Sequence, residues 1–107
     1  MKSESVGKPV NIEEVAEFDA KTHRKIDLLR CSAFNVVEIC FEPGQRIPPH
    51  EEPYSVLFLV LEGDGTITTG NGEWRVKSND LIFVKKGEIR GISAKTRMRM
   101  LGIQEPH

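Results

Sequence analysis

The sequence predicts an all-β sandwich or barrel. Two observations carry that expectation. Short apolar runs recur along the chain, and Gly, Pro and Asn turn signals separate them. Only one stretch has room for a short helix, and no internal repeat breaks the pattern.

Met1–Val10 is polar and expected to be loose. Asn11 is placed to cap a short helix, with Glu14 as its capping-box partner and Ile12, Val15 and Ala16 on one face. Asp19–Arg24 is polar, and its His23 is expected to be solvated. Ile26–Leu29 reads as a short strand and Ala33–Phe41 as a stronger one. In the latter, Val37, Ile39 and Phe41 share one face, while Phe34, Val36, Glu38 and Cys40 share the other. Pro43-Gly44 is a turn signal. Arg46–Pro53 is a Pro-rich polar passage carrying His50, Glu51 and Glu52.

Tyr54–Leu61 is the most apolar run. It is bounded by Pro53 and by Glu62-Gly63-Asp64-Gly65, which favours a strand buried on both faces over a helix. Thr66–Thr69 and Glu73–Val76 flank Gly70-Asn71-Gly72 and form a predicted hairpin. Trp74 shares a face with Val76 and reads as a core or interface anchor. Leu81–Val84, Ile89–Ile92 and Met98–Ile103 complete the strands, with Lys85-Lys86-Gly87 as a turn.

The 107 residues suit one domain, with 1–24 as an N-terminal extension and a core over about 33–103. The 15 basic and 16 acidic side chains nearly cancel, so nothing advertises nucleic acid or a membrane surface. The start MKSESVGKPV lacks a signal-peptide core, and a cytoplasmic location is expected. Cys31 and Cys40 are too far apart for a Cys-x2-Cys metal pair and read as reduced, structural thiols.

The passage Phe41–Gly65 resembles the first motif of the cupin family, G-x5-H-x-H-x3-E-x6-G. Gly44, His50 and Gly63 match it; Glu52 stands at the second histidine and Val56 at the glutamate. The second motif, G-x5-P-x-G-x2-H-x3-N, falls on Asn79–Ala94. Only Gly87 matches; Lys85 replaces the proline, Arg90 the histidine and Ala94 the asparagine. The resemblance covers Val36–Ile103. It implies a small double-stranded β-helix, a conical jelly-roll barrel, to which the residues from Asn11 onward add a short N-terminal helix.

The resemblance also marks where a metal would sit. Those positions hold His50, Glu52, Val56 and Arg90. Val56 has no electron pair to give, and Arg90 keeps its charge beside any cation. His50 and Glu52 are left as two donors, short of the three that catalytic zinc or non-haem iron needs. An intact metal site is therefore not expected, and a divalent transition metal on His50 and Glu52 is the less favoured alternative.

Strand alternation puts Glu52, Tyr54, Val56, Phe58 and Val60 on the face of His50. A Glu52–Arg90 ion pair is expected to tie the two motifs together. In a sharper form Arg90 stays partly free and, near His50, receives an anion. The implied function is a stand-alone cupin holding a small organic ligand through His50, Glu52, Tyr54 and Arg90. Two alternatives stay open: an isomerase, epimerase or dioxygenase using His50 as its catalytic residue, and a structural dimer without a ligand. The expected partner is a second copy, meeting through Ile26–Leu29 and the outward face of Ala33–Phe41.

Overall fold

The computed structural model describes residues 6–107. Nine strands form among them: β1 (Arg24–Arg30), β2 (Asn35–Phe41), β3 (Arg46–Glu51), β4 (Val56–Glu62), β5 (Asp64–Thr69), β6 (Gly72–Lys77), β7 (Leu81–Val84), β8 (Ile89–Ala94) and β9 (Met98–Gln104). They make a five-stranded sheet in the order β1-β2-β9-β4-β7 and a four-stranded sheet in the order β3-β8-β5-β6. Every pairing is antiparallel. The two sheets close on a core supplied by alternate residues: Val37, Ile39 and Phe41 of β2, Val56, Phe58 and Val60 of β4, and Met98 and Met100 of β9.

The sequence missed one strand. β3 reads RIPPHE, and its two prolines argue against a ladder position. The fold accommodates them at a sheet edge. Register slips between Ile47 and His50, across Pro48-Pro49, so neither proline must donate a ladder hydrogen bond. Opposite them stands Gly91, where a Cβ would lie 2.8 Å from the Pro49 nitrogen. Only glycine lets β3 and β8 approach this closely.

The predicted N-terminal helix does not form. Asn11 does cap: its Oδ1 accepts from the backbone N–H of Glu13 (3.0 Å) and Glu14 (2.9 Å). The chain then completes a turn, with the Val15 N–H donating to the Asn11 carbonyl at 3.2 Å, and leaves. One turn does not repay helix nucleation, and the segment is drawn out by tertiary anchors. The Arg97 guanidinium lies 3.6 Å from the Phe18 ring centroid, and Gln45 Nε2 donates to the Asp19 carbonyl at 2.7 Å. The expected looseness of Met1–Val10 lies, for residues 1–5, outside the described residues.

The N-terminal segment covers part of the five-stranded sheet's outer face, where the chain buries a charge cluster. Glu38, on the outward parity of β2, is fully buried. Arg99 Nη1 donates to Glu38 Oε2 at 3.0 Å and to the Ile12 carbonyl at 3.4 Å, while Nε donates to Glu62 Oε1 at 2.6 Å. Cys40 is buried beside Glu38, and burial pushes its thiol pKa up, which keeps it protonated and inert. Further along the same sheet, Leu81 and Phe83 of edge strand β7 are 62% and 60% exposed. No helix among the described residues is long and apolar enough to cross a membrane.

Candidate functional site

Between the sheets lies a cavity of about 220 Å³. The rim and polar walls are His23, Lys25, His50, Glu52, Tyr54, Arg90 and Gln104; the apolar walls are Ile39, Ile47, Val56, Phe58 and Ile92. His50, Glu52, Tyr54 and Arg90, the ligand-binding residues read from sequence, thus line one space. Alternation survives even though the chain leaves strand geometry between Glu51 and Val56. Arg90 arrives from β8 as the cross-strand partner of His50.

The charges pair differently from the expectation. Glu52 does not bind Arg90. Its Oε2 lies 3.0 Å from His50 Nε2, and His50 Nδ1 lies 2.9 Å from the Pro48 carbonyl oxygen. Carbonyl and carboxylate oxygens only accept, so the ring donates to at least one of them, and both of its nitrogens face acceptors.

Arg90 instead turns onto backbone. Its Nε donates to the Glu88 carbonyl at 3.3 Å, and its Nη2 lies 3.2 Å from the carbonyls of both Lys85 and Glu88. The turn expected at Lys85-Lys86-Gly87 presents these oxygens. Arg90 is 4% exposed, and its Nη1 is buried without a hydrogen-bond partner. Its guanidinium carbon lies 5.2 Å from the Tyr54 ring centroid, within cation–π range.

Tyr54 is held by burial and by the nearby Glu52 charge above the usual phenol pKa, with Arg90 opposing, so it stays a neutral hydroxyl. The His107 ring stacks on Tyr54 at 3.8 Å and 6°.

Three polar lining residues escaped the sequence reading. His23 is half-buried rather than solvated, stacks on Phe41 at 5.6 Å, and has its pKa lowered by burial and by Lys25. Extending β1 toward the N-terminus would have flagged Lys25, which pairs with Ile39 on the inward face. Continuing the inward alternation of Met98 and Met100 would have reached Gln104.

The donor set does not fit the family's usual metal. Arg90 occupies a ligand position, Val56 offers no donor, and His50 has both nitrogens engaged. Among the described residues no three His, Cys, Asp or Glu side chains converge to hold an ion.

The backbone keeps what the side chains depart from. Gly44, Gly63 and Gly87, at motif glycine positions, all have positive φ. Asn79 stands where the second motif opens with glycine and also takes a positive φ of 76°. Asn is among the few non-glycine residues that tolerate this region, so the turn survives the substitution.

Solved structures share this architecture. An RmlC-like cupin protein from Desulfovibrio desulfuricans is 24% identical, with a TM-score of 0.84 over 92% of this chain and 96% of that one. A cupin superfamily protein from Desulfitobacterium hafniense is 21% identical, with a TM-score of 0.82 over 94% and 92%. A double-stranded β-helix protein from Klebsiella pneumoniae is 20% identical, with a TM-score of 0.83 over 92% and 89%. No curated protein matches the chain in sequence. The model of the cupin domain matches residues 37–103, and the chain belongs to that family.

Proposed function

We propose that this cupin binds a small organic anion in its barrel cavity. One observation carries the reading: among the described residues Arg90 is a buried cation without a carboxylate partner, and its Nη1 has no hydrogen-bond partner. Buried charges are normally paired, and an anionic ligand supplies the missing partner. The apolar walls and few polar groups match the usual chemistry of a small-molecule site, in a cavity smaller than the usual range of about 300–1,000 Å³. Binding is favoured over catalysis by His50 because the Glu52 carboxylate and the Pro48 carbonyl together occupy both of its nitrogens.

Calorimetric titration with butyrate and with n-butyl phosphate, against n-butanol as the neutral control, tests this. At least one anion should bind more tightly than the alcohol, and Arg90→Met should remove the difference. Equal binding of all three, or none, would refute the reading.

We further propose a homodimer. The expected surface on the outward face of β2 is largely taken by the chain itself, since Glu38 and Cys40 are fully buried. Leu81 and Phe83 stand out beside the half-buried Leu57 and Leu59 of the neighbouring strand β4, which supports a second copy meeting there through a two-fold contact.

A further inference from the structure

The cavity's polar groups are unevenly committed, and that unevenness bears on what kind of anion fits. The fork of Arg90 most used for bidentate recognition, Nε with Nη2, is spent on the carbonyls of Glu88 and Lys85. Only Nη1 is left without a partner. A tetrahedral phosphate presents three strong acceptor oxygens and close to two charges. One guanidinium nitrogen is a poor match for it, and the Glu52 carboxylate in the same lining disfavours a second negative charge. A planar carboxylate, with one charge shared by two oxygens, fits better.

A second polar group stands on the opposite sheet. Gln104 of β9 is buried and lines the cavity, and its carboxamide makes no side-chain hydrogen bond among the described residues. Beside it in register is Asn35 of β2, also buried, with both carboxamide atoms lacking partners. A carboxamide both donates and accepts, so it suits a hydroxyl or amide rather than a second charge. Between Arg90 and Gln104 the wall is apolar: Ile39, Ile47, Val56, Phe58 and Ile92. A volume of about 220 Å³ equals on the order of seven waters at ~30 Å³ each.

Resting on the anion reading above, we infer that the ligand is a small hydroxy- or amido-monocarboxylic acid. Its carboxylate sits on Arg90 Nη1, its aliphatic body lies on the apolar wall, and its hydroxyl or amide meets Gln104. Lys25 at the rim stays solvated and steers the anion inward.

Calorimetric titration of the full chain with 4-hydroxybutyrate, butyrate, succinate, n-butyl phosphate and n-butanol tests the assignment. The expected order places 4-hydroxybutyrate first, about threefold to tenfold tighter than butyrate, the range of one neutral hydrogen bond. Gln104→Leu should bring those two together, and Arg90→Met should weaken both carboxylates by about tenfold or more. The ligand order on the unaltered chain decides the matter even where a variant folds poorly. Tighter binding of n-butyl phosphate or succinate would overturn the inference and leave anion binding standing. Butyrate and 4-hydroxybutyrate binding alike, with Gln104→Leu silent, would also overturn it. No preference for any anion over n-butanol would remove both readings.

Discussion

Glu52 is hydrogen-bonded to His50 at 3.0 Å, and Arg90, lining the same cavity, is left to backbone carbonyls. The two motif positions that an ion pair was expected to join are therefore held by separate interactions. Stability measurements can read this. In a double-mutant cycle by urea unfolding, Glu52→Gln and Arg90→Met should couple by less than about 1 kcal/mol, against ~3–5 kcal/mol lost when one member of a buried ion pair is removed. The partly exposed His50–Glu52 pair should itself contribute no more than about 1 kcal/mol.

Among the described residues the buried ion pair is Glu38–Arg99. Glu38 is fully buried, and Arg99 supplies its charge partner. Arg99→Met should cost about 3–5 kcal/mol in urea unfolding, because a carboxylate is left alone in the interior. Adding Glu38→Gln should recover much of that loss. Equal effects of the single and double variants would show that Arg99 acts through its other contacts, to Glu62 and the Ile12 carbonyl.

His23 gives stability a pH dependence of defined sign. Burial and Lys25 lower its pKa from 6.5, so the folded chain resists protonating a ring that the unfolded chain protonates freely. The stability His23 allows is complete above pH 6.5 and declines as pH falls from there through its lowered folded value. In unfolding curves across that window, His23→Phe should flatten this part of the decline. An unchanged slope in the variant would assign it to other groups.

The dimer contact is testable at Phe83, which is 60% exposed on β7. Phe83→Glu should convert a sedimenting dimer to a monomer at micromolar concentration without changing the circular dichroism spectrum. A chain that is monomeric before the substitution would exclude the contact.

Much of the fold was legible because strand patterning is local. Val37, Ile39 and Phe41 declare an inward face by alternation alone, and Pro43-Gly44 declares a turn by backbone sterics. Gly44, His50, Gly63 and Gly87 were enough to point to the family, and Val56 and Arg90 were enough to show that its metal ligands are incomplete. β3 was missed because Pro48 and Pro49 forbid an interior strand, and only the assembled sheet shows that they lie at an edge with Gly91 opposite.

The sequence by itself determined which side chains face the cavity from the matched motifs, since their parity follows from the chain's own alternation. Tertiary structure decided which of them bind one another. Carbonyls of Lys85 and Glu88 had to be turned toward Arg90, and that of Pro48 toward His50, before the expected Glu52–Arg90 pair gave way. Tertiary structure also brought His23, Lys25 and Gln104 to the cavity from segments far away in sequence. Hydrogen-bond partners are set by distances and angles of a few tenths of an ångström and a few tens of degrees, which no residue pattern encodes until the two sheets have closed.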